Sequence, residues 1–275
     1  MREGPGGIAT KGPGRGPTDG LQEETGGLRE ELAEAARVLS ALGLVTAYGH
    51  VSARTGDVML ITPAADLAAV TADRILTVPL DTGAPGAGVP DSGAPGTGAL
   101  GTGAPGTGAP GTLPAGAPAE GWAHLALYRA RPDAGAIARA QPPSAFAAAA
   151  GATALPPLYG QAAWLGEAVP VHDSAELLRS AELAGRAARS LPAGEALLLR
   201  GNGALTLGAA PGLAAARMWL LSAACDTFVS ARAAGPVTPL SPAEIASWRA
   251  VSGELLPRLW QHLRGRATPH NAPLR

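Results

Sequence analysis

The chain of 275 residues alternates helical and strand-like patterns, and this alternation predicts a layered α/β/α domain. Leucine and alanine recur at helical spacing between Leu28 and Leu39, and Gly43 follows where a C-cap is expected. Residues 48–54 and 58–61 flank a short turn and are typical of a β-hairpin. Helices and hairpins in one chain bury their apolar faces by stacking in layers, so we expect this fold class.

The other elements follow in order along the chain. Pro132 ends one helical pattern, and Pro211 opens a long one. Ser241 and Glu244 form a capping-box pattern at the start of the last helix. Further helices are expected at residues 143–151 and, capped by Ser174, up to about residue 190. Further strands are expected at residues 75–78, 134–141, 169–171, 195–200 and 204–207.

Three segments lack the apolar side chains that a core needs. Residues 1–20 are rich in glycine and proline, and 82–118 repeat a Gly/Ala/Pro unit with a period of ten. Both segments are expected to be disordered, and 266–275 to be a flexible tail, around one domain at 21–265. The repeats cannot bury a face and lack glycine at every third position, which excludes a solenoid and a collagen helix. A partner-binding arm is the alternative to a flexible insert.

The composition argues against a nucleic-acid-binding, a disulfide-rich and a membrane-spanning protein. The formal net charge of -1 leaves no basic surface for nucleic acid, and the single cysteine, Cys225, excludes an intramolecular disulfide. The most apolar long window, 213–234, contains Arg217, Asp226 and Arg232, so no membrane span is predicted. The first seventeen residues contain no apolar run, so a secretory signal is not expected. A soluble cytoplasmic protein is therefore expected.

Glu120 and His124 stand one helical turn apart, so they share one face of the predicted helix. A carboxylate and an imidazole at that spacing are suited to proton transfer in a common pocket. The alternative is a polar pair on the protein surface, which contributes little.

Three segments occur in a fixed order along the chain: GHVSAR at 49–54 with LITP at 60–63, EGWAHLALYRARPD at 120–133, and LLLRGNG at 197–203. Together they resemble the class II aldolase/adducin family, and the resemblance covers about residues 28–232. It implies a central, mostly antiparallel sheet flanked by helices. It also implies homo-oligomers, often tetramers, with active sites at the subunit interfaces.

The resemblance implies a divalent metal held by three histidines, and a glutamate that moves a proton. Glu120 stands at the position of that glutamate. The positions of the three histidines, however, carry Arg139, Gln141 and Asn202. A guanidinium repels a metal ion, and the two amides offer only neutral oxygens. No metal of the family type is therefore expected.

A zinc-type site is expected only if His50, His124 and Glu120 rebuild one, since two histidines and a carboxylate are a known ligand set. The family's phosphate-binding positions are changed as well, because His50 replaces an asparagine. A phosphorylated sugar is therefore not the expected substrate. The residues predicted to bind substrate are His50, Ser52, Thr62, His124, Gln141 and Asn202.

Arg139 suggests a different chemistry. Its guanidinium is a fixed positive charge that suits a carboxylate or an enolate oxygen, while Glu120 acts as acid and base. This hypothesis describes a metal-independent lyase, isomerase or decarboxylase that acts on a small oxygenated, carboxylated molecule. In the alternative, Arg139 pairs with Glu120 in a decayed site, and the protein is a non-catalytic binding or scaffolding protein like adducin.

Overall fold

The computed structural model describes residues 17–80 and 112–267, with side chains from residue 25 onward. The expected disorder at residues 1–16 and 82–111 lies outside the described residues, as does most of the flexible tail expected at 266–275. Residues 266–267 of that expected tail instead form the end of a helix.

The described residues form seven α-helices and eight strands. The helices are α1 Pro17–Ala41, α2 Gly121–Ala130, α3 Pro143–Gly151, α4 Ala181–Arg189, α5 Pro211–Ala234, α6 Pro242–Ala250 and α7 Ser252–Ala267. The strands are β1 His50–Thr55, β2 Val58–Ile61, β3 Leu76–Pro79, β4 Ala136–Ala140, β5 Ala154–Leu155, β6 Val169–His172, β7 Ala196–Leu199 and β8 Gly203–Gly208.

The strands form one eight-stranded sheet with the order β3-β2-β1-β4-β8-β7-β6-β5. Strands β6 and β7 run parallel, and every other neighbouring pair in the described sheet is antiparallel. The hairpin of β1 and β2 pairs Thr55 with Val58, as the turn between them predicts. The mostly antiparallel sheet is therefore confirmed.

Helices cover both faces of the sheet, which confirms the three-layer α/β/α arrangement. In β4, Ala136, Ala138 and Ala140 pack into the core beneath α1, α3 and α5, while Ile137 packs into the core beneath α2 and α4. This alternation follows from the two-residue period of a strand. Arg139 lies on the same face as Ile137, and its side chain is therefore directed toward the α2 layer.

Several boundaries differ from the sequence-based expectation. Helix α1 begins at Pro17, before the expected start at residue 21. The expected disordered insert includes residues 112–118, yet Leu113 and Ala117 pack against the core beneath α2. The last helix is divided into α6 and α7 at Val251, and α7 accommodates Pro257.

The prediction that Ser174 caps the fourth helix is wrong. Ser180 is the N-cap, and its hydroxyl accepts a hydrogen bond from the backbone N–H of Leu183. Ser174 instead contacts Glu176 in a loop between β6 and α4. Both serines precede acidic residues and have the composition of a cap, so local pattern alone does not separate them.

No helix within residues 17–80 and 112–267 has both the length and the apolar character needed to cross a bilayer.

Gly135 directly precedes β4 and lies close to the backbone of Ala209. A Cβ atom at Gly135 would lie 2.3 Å from the backbone oxygen of Ala209. We expect Gly135→Ala to lower the free energy of unfolding by about 1–3 kcal/mol, because backbone has to shift. Gly185→Ala is the matched control, since Gly185 lies within α4 with only the end of Arg189 nearby.

The control should raise stability by up to about 1 kcal/mol through helix propensity. Urea unfolding monitored by circular dichroism measures both variants. Equal free energies of unfolding for Gly135→Ala and the wild type would show that the backbone at Ala209 leaves room for a Cβ atom at Gly135.

Candidate active site

A cleft lies where β1 begins, β4 ends and β8 begins. His50 is opposite Arg139 in the β1–β4 register, and Ala140 is opposite Ala204 in the β4–β8 register, so these strand ends meet at one edge. The cleft has a volume of about 770 Å³. Five of the predicted site residues line it: His50, Glu120, Arg139, Gln141 and Asn202.

Glu120 and Arg139 form an ion pair at the wall of this cleft. The distance from Arg139 Nη2 to Glu120 Oε2 is 2.5 Å, and both side chains are largely buried. Arg139 also donates hydrogen bonds to the backbone oxygens of Tyr48 and Asn202. Burial lowers the pKa of Arg139, and the negative charge of Glu120 opposes that shift. A buried charge requires such a partner, so the two side chains depend on each other.

Asn202 closes this ion pair into a cluster. Its Oδ1 accepts a hydrogen bond from Arg139 Nη2 at 2.6 Å, and its Nδ2 donates to Glu120 Oε1 at 2.8 Å. The flanking Gly201 and Gly203 have φ angles of +70° and +90°, a conformation that side chains rarely adopt. The turn between β7 and β8 therefore fixes Asn202 against the ion pair.

The loop between β6 and α4 supplies cleft residues that the sequence analysis missed. The backbone N–H of Leu178 donates to Glu120 Oε1 at 3.2 Å, and Arg179 lines the cleft. The side chain of Arg179 is exposed and has no ion-pair partner among the described residues. The sequence pattern predicts that these residues lie in a helix capped by Ser174, so they were not expected at the cleft. Because Ser180 is the cap, they lie in the loop before the helix.

A second cluster extends from the cleft into the core. His50 Nδ1 and His124 Nε2 are 2.7 Å apart, and His124 Nδ1 lies 2.6 Å from Ser52 Oγ. Ser52 Oγ lies 2.9 Å from the hydroxyl of Tyr128. The guanidinium of Arg54 stacks over the Tyr128 ring at 5.0 Å from its centroid. These contacts link the cleft to the interior beneath α2.

Burial keeps both imidazoles of this cluster neutral. It lowers the pKa of His50 well below the usual 6.5, with further lowering by His124 and Arg139. It lowers the pKa of His124 to about 3, again with a contribution from Arg139. Burial also raises the pKa of Tyr128 above its ordinary value, so the phenol stays protonated.

The expected proton-transfer pair of Glu120 and His124 is not formed. Glu120 occupies the N-cap position of α2, and its carboxylate contacts Arg139, Asn202 and the Leu178 N–H. His124, one turn later, contacts His50 and Ser52 instead. The two side chains therefore belong to separate hydrogen-bonded clusters, although they share one helix.

Three of the predicted substrate-binding residues are fully buried and do not line the cleft: Ser52, Thr62 and His124. Thr62 Oγ1 accepts a hydrogen bond from the backbone N–H of Val51 at 3.1 Å. This contact braces the β1–β2 pair, and the hydroxyl is not available to a ligand in this conformation.

The side chains at the cleft do not fit the metal that the family resemblance implies. A guanidinium lies against Glu120, and the two imidazoles direct nitrogens at each other. Within residues 17–80 and 112–267, no three histidine, cysteine, aspartate or glutamate side chains converge closely enough to hold a metal ion. The rebuilt site of His50, His124 and Glu120 is not assembled here, because Glu120 belongs to the other cluster.

The neutral histidines predict that acid destabilises the fold. Their folded-state pKa values lie below 6.5, so the unfolded chain binds more protons once the pH falls below that value. Stability is therefore present above about pH 6.5 and falls toward about pH 3, by up to about 1.4 kcal/mol per pH unit for each histidine. The free energy of unfolding, measured with urea at several pH values in this range, should fall less steeply with decreasing pH in His50→Asn than in the wild type. His262→Asn, at an exposed histidine of α7, is the control, and parallel His50→Asn and wild-type curves would contradict this account.

Solved structures resemble this chain over most of its length. An aldolase II superfamily protein from Pseudomonas syringae has a TM-score of 0.67 at 20% identity, covering 90% of this chain and 96% of that one. L-fuculose 1-phosphate aldolase from Glaciozyma antarctica PI12 has a TM-score of 0.64 at 19% identity, with coverages of 92% and 94%. L-fuculose-1-phosphate aldolase from Thermus thermophilus has a TM-score of 0.59 at 27% identity, with coverages of 76% and 98%.

No curated protein sequence matches the chain. The family model of the class II aldolase and adducin N-terminal domain matches residues 30–229, a span that contains every residue lining the cleft. The chain therefore belongs to the class II aldolase and adducin family.

Proposed function

We propose that the protein is a divergent class II aldolase-family enzyme that acts on a small oxygenated, carboxylated molecule without the family's divalent metal. The observation that carries this proposal is the Glu120–Arg139 ion pair at the wall of a cleft of about 770 Å³. An acid/base group and a fixed cation there face a volume suited to a small ligand.

The cleft offers hydrogen-bond donors and a positive charge to such a ligand. Arg179 presents an exposed guanidinium with no ion-pair partner among the described residues, which suits a carboxylate. Gln141 lines the same cleft and is half-buried, so its amide is placed to orient a hydroxyl or carbonyl oxygen. Binding through Arg179 leaves the paired Arg139 for the reacting part of the molecule.

The proposed chemistry is removal of a proton from the carbon next to a carbonyl. Glu120 takes the proton and becomes neutral, and the electron pair of the C–H bond moves to the carbonyl oxygen as an enolate. Arg139 then exchanges a carboxylate partner for the enolate oxygen, so its charge stays paired throughout. If the carbon that loses the proton carries a hydroxyl, the hydroxyl proton passes to the enolate oxygen, and return of the carbon-bound proton from Glu120 to the former carbonyl carbon gives an isomerisation.

In a lyase-type reaction Glu120 takes the proton of a hydroxyl beside the carbon–carbon bond, an aldehyde leaves, and the electron pair of the broken bond forms the enolate, which the protonated Glu120 then protonates. In a decarboxylase-type reaction carbon dioxide leaves, the bonding pair forms the enolate, and the proton comes from Glu120 that has been protonated by solvent.

Two of the similar structures are named as fuculose-phosphate aldolases, which supports carbon–carbon lyase chemistry as one member of this reaction class. The exposed Tyr48 at the cleft rim is a candidate contact with a second subunit in a homo-oligomer, such as a tetramer. A cytoplasmic location remains part of the same proposal.

The second candidate is a non-catalytic binding or scaffolding protein. It is favoured by the closed cluster of Glu120, Arg139 and Asn202, in which the carboxylate oxygens already have partners within the protein. A ligand has to compete with these contacts before Glu120 can act as a base.

Proton abstraction is tested directly by exchange of substrate hydrogen in D2O. We expect the wild type to catalyse deuterium incorporation next to the carbonyl of at least one small keto acid, as measured by NMR. Glu120→Gln should slow this exchange by about 100-fold or more, because it removes the base. Melting temperatures recorded in parallel separate loss of chemistry from loss of fold. Exchange at the wild-type rate in Glu120→Gln would rule out the assigned role.

Ligand binding is tested by thermal shift with a panel of small hydroxy and keto acids. At least one compound class should stabilise the wild type, and Arg179→Gln should require about tenfold more of it, since the charged contact contributes about 1.4 kcal/mol or more. The matched control is Arg189→Gln, at an exposed arginine of α4. Absence of stabilisation across the panel would favour the scaffolding protein.

A further inference from the structure

We propose that His50 presents a permanent Nε2–H donor to the cleft, and that a one-way hydrogen-bond chain from Tyr128 through Ser52 and His124 fixes this tautomer. His50 is the member of the chain that lines the cleft, and Nδ1 is occupied by His124. The inference rests on the proposed function and deepens it, because it adds a donor for a ligand oxygen to the same site.

The direction of the hydrogen-bond chain follows from the number of polar hydrogens in it. Two hydroxyls and two neutral imidazoles carry four polar hydrogens, and the three contacts between them each use one. One hydrogen is therefore left over. The question is whether it lies in the core or in the cleft.

One arrangement leaves no buried hydrogen without an acceptor. Tyr128 donates to Ser52 Oγ, Ser52 donates to His124 Nδ1, and His124 Nε2–H donates to His50 Nδ1. The hydrogen of His50 is then on Nε2, the ring nitrogen that has no protein partner among the described residues. His50 lines the cleft and its Nε2 is not among the buried polar atoms without a partner in the described residues, so a ligand or water in the cleft can accept this hydrogen.

The reverse direction is unfavourable. If His50 donates to His124 and His124 donates to Ser52, the hydrogen of either Ser52 or Tyr128 has no acceptor. Ser52 is fully buried, and Tyr128 is only 1% exposed. A buried donor without an acceptor destabilises a fold, so the structure selects the first direction.

The surroundings keep this donor neutral as well as oriented. Arg139 stands opposite His50 in the strand register and disfavours a second positive charge beside it. A neutral imidazole N–H polarises a carbonyl or enolate oxygen without giving up its proton at ordinary pH. The ligand class is therefore one with oxygen acceptors at this position, such as a keto or hydroxy acid. His124, Ser52 and Tyr128 act as positioning residues.

The test is long-range ¹H–¹⁵N NMR of the ligand-free protein with ¹⁵N-labelled histidine, which reports the nitrogen that carries the hydrogen. We expect a single Nε2–H tautomer for both His50 and His124, with His50 assigned by loss of its signals in His50→Asn. An Nδ1–H tautomer at His50 in the wild type would overturn the proposal.

Ser52→Ala provides the matched test of the chain. It removes the hydroxyl that receives from Tyr128 and donates to His124, so both histidines should become mixtures of tautomers. Ser190→Ala is the control, because Ser190 contacts a different histidine, His172, at 2.9 Å. A single unchanged Nε2–H tautomer in Ser52→Ala would overturn the role of the chain. The measurement requires no ligand, so failure of the proposed enzymatic function in the exchange assay is distinguishable from failure here.

Discussion

The buried ion pair of Glu120 and Arg139 is the constraint on which the rest of the cleft depends. Neither charge is tolerated alone at this depth, and removing one partner of such a pair typically costs about 3–5 kcal/mol. Asn202 and the Leu178 N–H satisfy the remaining carboxylate oxygen. Four segments of the chain therefore converge on one carboxylate: the start of α2, the end of β4, the β7–β8 turn and the loop before α4.

The antiparallel sheet brings these segments together. Because β1, β4 and β8 are antiparallel neighbours, the start of one strand and the end of the next lie side by side. The small side chains of β4 on the other face let α5 pack closely, while Arg139 is directed toward the cleft face. Two clusters result, one built around Arg139 and one around His124. Both clusters contribute side chains to the lining of the cleft, Arg139 from the first and His50 from the second.

Much of this arrangement could be predicted from the sequence. Helical spacing located α1, the hairpin turn located β1 and β2, and the family resemblance brought Glu120, Arg139 and Asn202 to one cleft. Two features could not be predicted, and both have a physical reason. Ser174 and Ser180 have the same capping chemistry, so the sequence pattern starts the helix at Ser174 and places Arg179 within it. The helix begins after Ser180, and Arg179 therefore lies in a loop at the cleft. Helical spacing also places Glu120 with His124, but the N-cap conformation of Glu120 turns its carboxylate toward β4.

We propose that the ion pair of Glu120 and Arg139 occupies the place that the family's metal would take. The metal content per chain is measured by mass spectrometry on untagged protein that is purified without chelator and then soaked with zinc, cobalt, manganese or iron. We expect none of these metals to be retained stoichiometrically after desalting. One tightly held divalent ion per chain would contradict it, and would direct attention to His50, His124 and Glu120 as ligands in a rearranged cleft.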